Sequence, residues 1–297
     1  MPEEYLNNTS QQRARRAFEA LIAGEDAAID LAQAAFLIAS EEYLDLDIAH
    51  YMTRLDALAY RVRSILSLPQ DDLFSPLLPE TDLLEAITAI NQVLFNEEHF
   101  SGNREDYYDP RNSFLNDVLD RHTGIPIALS LLYMEVGKRV GVQIDGIGLP
   151  FHFIVGCRVP GGRVYIDPYE GGKILSEQDC RERVTRMLKG KGSSYAHWLE
   201  PVSPRQLLVR MLNNLKNIYL HSEDYVRALS VCDRIVLLVP HAPLERRDRG
   251  IIHLQLKHYG RALLDLATYV EHAPHAEDRE EIRKQIRTIR QIMAMMN

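Results

Sequence analysis

Residues Gly124 to Gly141, GIPIALSLLYMEVGKRVG, constrain this fold more than any other stretch. From Ile127 to Val136 the run is apolar almost all round. A helix without a polar face must be buried on every side. Pro126 suits its first turn, where a missing N–H costs nothing. Gly141 suits its C-terminal stop. The rest of the chain must therefore supply layers to wrap a central helix. Glu135 is the exception inside it. A carboxylate there needs a partner, and Arg121 or Arg139 is expected to supply a structural ion pair.

The material for wrapping is present. The chain has 297 residues, 46% hydrophobic and 26% charged, an ordinary globular mixture. Up to about residue 100 it reads as helices. Ala27 to Ala39 is rich in strong helix formers. Ile48, Met52, Leu55, Leu58, Val62 and Ile65 step by three and four, the period of an amphipathic helix. Pro69 and the segment DDLFSPLLPE break the pattern. Leu83, Ile87, Ile90 and Leu94 begin another helix, with Thr81 or Asp82 as its cap.

Several function classes are disfavoured by composition. A net charge of -8 gives no electrostatic reason to seek nucleic acid or anionic lipid. Three cysteines, Cys157, Cys180 and Cys232, form no CxxC pair. That argues against a disulfide framework and a structural zinc site. The N-terminus MPEEYLNNTS lacks the pattern of a signal peptide. No apolar run is long enough to span a bilayer. The expectation is a cytoplasmic protein with no cofactor and no metal.

After Gly141 the pattern changes. His152-Phe153-Ile154-Val155 and Arg163-Val164-Tyr165-Ile166-Asp167 are β-prone and flank the turn signal Pro160-Gly161-Gly162, a hairpin pattern. Across such a pair, side chains on one face lie about 5 Å apart. His152 and Asp167 can then meet, and a carboxylate beside an imidazole fixes its tautomer. The same pair also reads as a structural hydrogen bond. Asn112, Ser113 and Asn116, at the end of a polar stretch from Asn96, read either as a wall of that pocket or as helix-capping residues with Asn116 exposed. Ser176 and Asp179 open a further helix with capping-box spacing.

From Ser203 onward the chain is helical and repeats. Tyr225, Arg227, Ala228 and Leu229 recur as Tyr259, Arg261, Ala262 and Leu263. Pro240-His241-Ala242 recurs as Pro274-His275-Ala276. The offset is 34 residues (259 − 225), the period of tetratricopeptide repeats. Lys216 stands where that pattern prefers Gly; Gly250 keeps it. Two copies need cover, so the repeats are expected to dock on the core, with the helix from Glu277 to Met295 as a cap. Arg210, Asn213, Asn214, Asn217, Arg247 and Gln255 lie on the first helices of the pairs without an obvious packing duty. They are the candidate residues for an extended peptide. His253 and His258 read as scattered helix residues with no metal role.

The stretch HFIVGCRVPGGRVYIDP resembles the His strand, turn and Asp-Pro strand of the transglutaminase-like cysteine hydrolase fold. That resemblance makes His152 the base and Asp167 its orienting carboxylate. It puts the nucleophile at the start of the apolar helix, where this chain has Pro126. Cys157 lies at an odd offset from His152, on the other strand face, and is expected in the core. The set DPRNSFLNDVLDRHTGIPIALSLLYMEVGKRVG, GIGLPFHF and IDPYEGG, with the repeats, resembles more narrowly the bacterial SirB-type family, a group with no established reaction. A small residue is expected where Phe151 precedes His152, and a Phe there is expected to narrow access.

The resemblance implies an α+β, mostly helical fold: a transglutaminase-like core with a small antiparallel sheet, then a helical array. The expected division is an N-terminal helical segment over residues 1–100, the core over 101–200, and two repeats plus a capping helix over 201–297. The implied function is a non-catalytic interaction or regulatory module, its partner a protein or peptide of unknown identity. The alternative is a thiol-independent amide hydrolase using His152 and Asp167.

Overall fold

The computed structural model describes residues 9–70, 73–77, 82–188 and 196–296. The first eight residues, part of DDLFSPLLPE, and the candidate cap Thr81 lie outside them. The chain divides into two compact units, Met1–Leu208 and Val209–Asn297.

In the first unit, α1 (Thr9–Ile22), α2 (Leu31–Ala39), α3 (Ile48–Ile65), α4 (Leu83–Asn91) and α5 (Leu115–Arg121) precede the apolar helix α6 (Pro126–Val140). Asp30, Asp47 and Asp82 each accept a first-turn backbone N–H at the starts of α2, α3 and α4. These are side-chain caps for groups that the helix itself leaves unpaired. The Ala-rich segment is shorter than its composition predicts: Asp26–Ala28 is a 3-10 turn, and α2 starts only after Asp30.

The reading of α6 holds at both ends. Pro126 sits in its first turn and Gly141 caps it at φ +96°. A Cβ at Gly141 would lie 2.0 Å from the Ser75 carbonyl oxygen, so both conformation and space demand Gly there. Helices α2, α3, α4 and α5 pack around α6 together with strands β3 (Ile144–Ile147) and β4 (Ile154–Val159). Glu135 is 3% exposed and Arg139 1%. Of the two expected partners, Arg139 takes the role, with Nη1 2.5 Å from Glu135 Oε2 and Nε 2.7 Å from Asp56 Oδ1. Arg121 instead reaches Asp109.

Strands β1 (Ser101–Gly102) and β2 (Thr123–Gly124) form a short parallel pair. A four-stranded antiparallel sheet follows, in the order β3, β4, β5 (Gly162–Asp167), β6 (Lys173–Leu175). The central hairpin is the predicted one; β3 and β6 were not predicted. Helix α7 (Glu177–Met187) opens with the expected capping box of Ser176 and Asp179. Its Cys180 and Val184 pack with Ile147, Ile154 and Tyr165 of the sheet.

Helix α8 (Pro204–His221) runs into the second unit, followed by α9 (Tyr225–Leu238), α10 (Pro243–Gln255), α11 (Tyr259–His272) and α12 (Arg279–Met296). The 34-residue offset is visible in Tyr225 and Tyr259, which each begin a helix. Gly250 lets α10 and α11 approach: a Cβ there would lie 2.8 Å from Leu266. The cap helix α12 buries Ile282, Ile286 and Ile289 against Ala262, Leu266 and Tyr269. At Lys216 a buried ammonium replaces the Gly, 2.9 Å from Glu245 and 2.8 Å from Asp248.

Candidate functional site around His152 and Asp167

The residue before the hairpin departs from the expected strand. His152 is not part of β4, which starts at Ile154. Its N–H bonds back to the Leu149 carbonyl at 3.3 Å. Phe151 takes φ +56°, a left-handed conformation that costs a bulky residue about 1–2 kcal/mol. This turn swings the imidazole towards the end of β5. Pairing of Val155 with Ile166 fixes the ladder, and His152, two residues upstream of Ile154, reaches Asp167 diagonally on the same face. Nε2 of His152 lies 2.9 Å from Asp167 Oδ2. Phe151 is 82% exposed.

The turn carries a testable cost. Phe151→Gly is expected to raise stability by about 0.5–1 kcal/mol, the relief of a left-handed β-carbon less the added chain entropy of Gly. Denaturant midpoints of the two proteins check it. An unchanged or lower midpoint would mean that Phe151 contributes packing that its exposure conceals.

Asp167 is fully buried and accepts from four donors. His152 and the Arg183 guanidinium bond Oδ2. The backbone N–H groups of Tyr169 and Glu170 bond Oδ1 at 3.2 and 3.3 Å. Burial acts to raise its pKa, but the bonds and charges of His152 and Arg183 outweigh that and hold the carboxyl below its ordinary range. Arg183 went unnoticed in the sequence. It sits three residues after Cys180, on the face of α7 that the buried Cys180 and Val184 turn towards the sheet, and that spacing could have found it.

A polar network runs on from this pair. The Tyr169 ring stands edge-on to His152, centroids 6.0 Å apart. Its hydroxyl donates to the Asn103 carbonyl at 2.8 Å, and Gly102 leaves room for the ring. Asn103 Nδ2 donates to Asn112 Oδ1 at 3.1 Å. Asn112 thus joins the network and does not cap α5, whose first turn follows Phe114 without a side-chain cap. Ser113 does not cap it either. Asn116, expected to be exposed on the capping reading, is 3% exposed. Among the described residues Ser113 Oγ and Asn116 Oδ1 are buried without a hydrogen-bond partner.

At the start of α6 the residue is Pro126, buried, and the preceding Ile125 donates its N–H to the Asn112 carbonyl at 3.1 Å. Proline offers no nucleophilic atom. All three thiols are free and buried. Burial pushes each thiol up, Cys180 and Cys232 to about 12, the opposite of an activated thiolate.

In the second unit Arg210, Asn213 and Asn214 are half-buried on α8, and Asn217 and Gln255 are exposed. Arg247, read as lacking a packing duty, pairs with Asp248 and Asp278, both at 2.8 Å. His253 and His258, read as scattered, are neighbours, with Nδ1 atoms 3.3 Å apart. Burial lowers the pKa of His253 to about 4. Among the described residues no three potential metal ligands cluster, and no helix is long and apolar enough to cross a membrane.

Comparison with known proteins bears on this geometry. A family model described as transglutaminase-like superfamily matches residues 49–213, more than half of the chain. The chain belongs to the transglutaminase-like superfamily. A second family model, described as tetratricopeptide repeat, matches residues 215–287. Among relatives, a UPF0162 protein of Xylella fastidiosa strain Temecula1 is 37% identical over 262 residues, 87% of this chain and 89% of its own. Protein SirB1 of Salmonella typhimurium is 26% identical over 226 residues, 76% of this chain and 82% of its own. F-box only protein 21 of Mus musculus is 34% identical over 146 residues, 45% of this chain but 22% of that protein. The chain is thus a transglutaminase-like protein of the SirB type, with tetratricopeptide repeats following its transglutaminase-like region.

Proposed function

We propose that this protein is a non-catalytic interaction or regulatory module. In this reading the tetratricopeptide repeats hold a protein or peptide partner, and the His152–Asp167 pair is a retained structural feature. The observation that carries it is Pro126 at the position where the resemblance puts the nucleophile. The buried thiols support it, because without a thiolate the acyl-enzyme route of this fold has no first step. The lock on Asp167 supports it too: Arg183 already neutralises the carboxylate that would stabilise a charged imidazole. Repeats of a type that commonly present peptide-binding surfaces agree with an interaction role.

One experiment separates this reading from a thiol-independent amide hydrolase. The purified chain and its His152→Ala variant are assayed for acyl transfer and amide hydrolysis, with and without thiol alkylation. In parallel both are used as bait beside Asn213→Ala/Asn217→Ala. The expected result is no turnover in any sample, partner capture by wild type and His152→Ala, and loss of capture in the repeat variant with little change in melting temperature. Turnover abolished by His152→Ala would overturn the reading. A sharp fall in melting temperature of the repeat variant would mean that Asn213 and Asn217 are interior and the groove is misplaced.

A further inference from the structure

A recess opens in the first unit where α3 meets α5 and the chain leaving α4. Its walls are Ala57, Leu58, Phe100 and Leu119, and its rim is Arg54, Arg61, Glu98 and His122. Its volume is about 150 Å³, and an apolar cavity of about that volume holds a benzene ring. Two departures from regular backbone shape the rim. After Asn91, α4 loosens into a π-helical turn over Gln92–Glu97, a geometry that recurs at functional sites. The bond from the Glu98 N–H to the Val93 carbonyl, at 3.0 Å, closes that turn and sets Glu98 beside Arg61. His122 takes left-handed backbone at φ +53°, where a residue with a β-carbon is strained. Its imidazole lies flat on Phe100, centroids 4.5 Å apart and planes 16° off parallel.

The carboxylates around the rim are satisfied within the protein, with one exception. Arg54 donates to Asp120 Oδ1, and Tyr51 to Asp120 Oδ2. Arg61 donates to Glu97 Oε2 and to Glu98 Oε1. Gln92 supplies Glu97 Oε1. Glu98 Oε2 alone has no donor among the described residues. It lies 3.7 Å from His122 Nε2, too far for a direct hydrogen bond. His122 Nδ1 bonds the Glu98 carbonyl. A carbonyl only accepts, so Nδ1 carries the proton, and Nε2 of the neutral imidazole is an acceptor. Two acceptors thus stand side by side with no donor between them. Their side chains are 24% and 34% exposed, so a ligand can reach both from solvent.

The group that fits there is a donor, and the rim sets its charge. The carboxylates of Asp120, Glu97 and Glu98 outnumber the guanidiniums of Arg54 and Arg61, so a cation restores the balance. A nitrogen about 2.8 Å from each acceptor would meet them at roughly a right angle. An ammonium has three N–H donors and serves both acceptors at once, whereas a hydroxyl donates once. The apolar walls beside the pair have room for one ring.

We propose that this recess binds a small aromatic primary amine, its ring on Leu58, Phe100 and Leu119 and its ammonium held by Glu98 Oε2 and His122 Nε2. The proposal does not depend on the repeats or on His152.

The full chain is titrated at pH 8 with 2-phenylethylamine, 2-phenylethanol and 3-phenylpropanoate, by ligand-observed NMR and calorimetry. Saturable binding of one amine per chain is expected. The alcohol should be at least about tenfold weaker, the usual worth of a hydrogen bond to a charged group, and the acid should not saturate. Glu98→Gln is expected to weaken the amine by about tenfold. His122→Asn, a residue that tolerates left-handed backbone, should weaken it by about fivefold. Ala57→Phe, at an exposed position on the wall, is expected to abolish binding while circular dichroism stays unchanged. Nitrogen-15 NMR of the free protein should show His122 protonated at Nδ1 and bare at Nε2. A flat titration with the amine would overturn the proposal. So would amine and alcohol that bind equally, binding that survives Ala57→Phe and Glu98→Gln, or a His122 imidazolium already donating to Glu98.

Discussion

Asp167→Ala is expected to destabilise the first unit by about 3–5 kcal/mol, the range for removing one partner of a buried charge pair. The loss has three sources. Arg183 and His152 lose their shared acceptor. The 3-10 turn Pro168–Glu170 loses the side chain that caps its first N–H groups. Tyr169, which that turn carries towards Asn103, loses its fixed approach. Trp198 is the single tryptophan and lies in the first unit, so its fluorescence during denaturant unfolding reports on this unit. The effect is also signed in pH. The folded pKa of Asp167 is depressed, so its stabilisation is present above the unfolded value, about 3.9, and is lost as pH falls through the lower folded value. The gap between wild type and Asp167→Ala should close on acidification below about pH 4. A gap that persists unchanged at pH 2 would mean that the ionised carboxylate is not its source.

The route by which these residues come together was legible where one local rule decided the outcome. Pro126 and Gly141 bound α6 because each is the residue its helix end prefers. The hairpin was readable from its turn and two β-prone runs, and the repeat from its 34-residue period. The parts that were missed depend on tertiary context. β3 contains Asp145 and Gly146, and β6 is three residues long; neither carries enough pattern to announce itself. Asn116 was open between a pocket wall and an exposed position beside a capping residue, and the packing of α5 buries it. Phe151 was expected to narrow access, but its left-handed φ turns it outward. Arg247 looked free because Asp278, its partner, lies on the chain between α11 and α12, beyond any helical spacing. Local sequence can place an ionisable side chain on a face, and only the fold decides which charge comes to meet it.

Lys216 is the sharpest case, since repeat pattern and physical chemistry predict opposite results there. By pattern, Lys216→Gly restores the preferred residue and should improve the array. By structure, it removes an ammonium that is 5% exposed and held by Glu245 and Asp248 of the next helix pair. Lys216→Ala is expected to cost the second unit about 3 kcal/mol, near the low end for breaking a buried ion pair because both carboxylates keep some solvent. Lys216→Gly should cost about 1 kcal/mol more, the penalty of Gly inside a helix. Hydrogen exchange reads this locally: amides of α9 and α10 should lose protection while those of α6 do not. Burial acts to lower the Lys216 pKa, but Asp248 and Glu245 outweigh it and raise it above its ordinary value. Its contribution is therefore complete below the unfolded value, about 10.4, and fades as pH rises through the higher folded value. The difference between wild type and Lys216→Ala should be constant from neutral pH to about pH 10 and shrink only above it. Greater protection in Lys216→Gly than in wild type would show that close approach of the helices outweighs the ion pair.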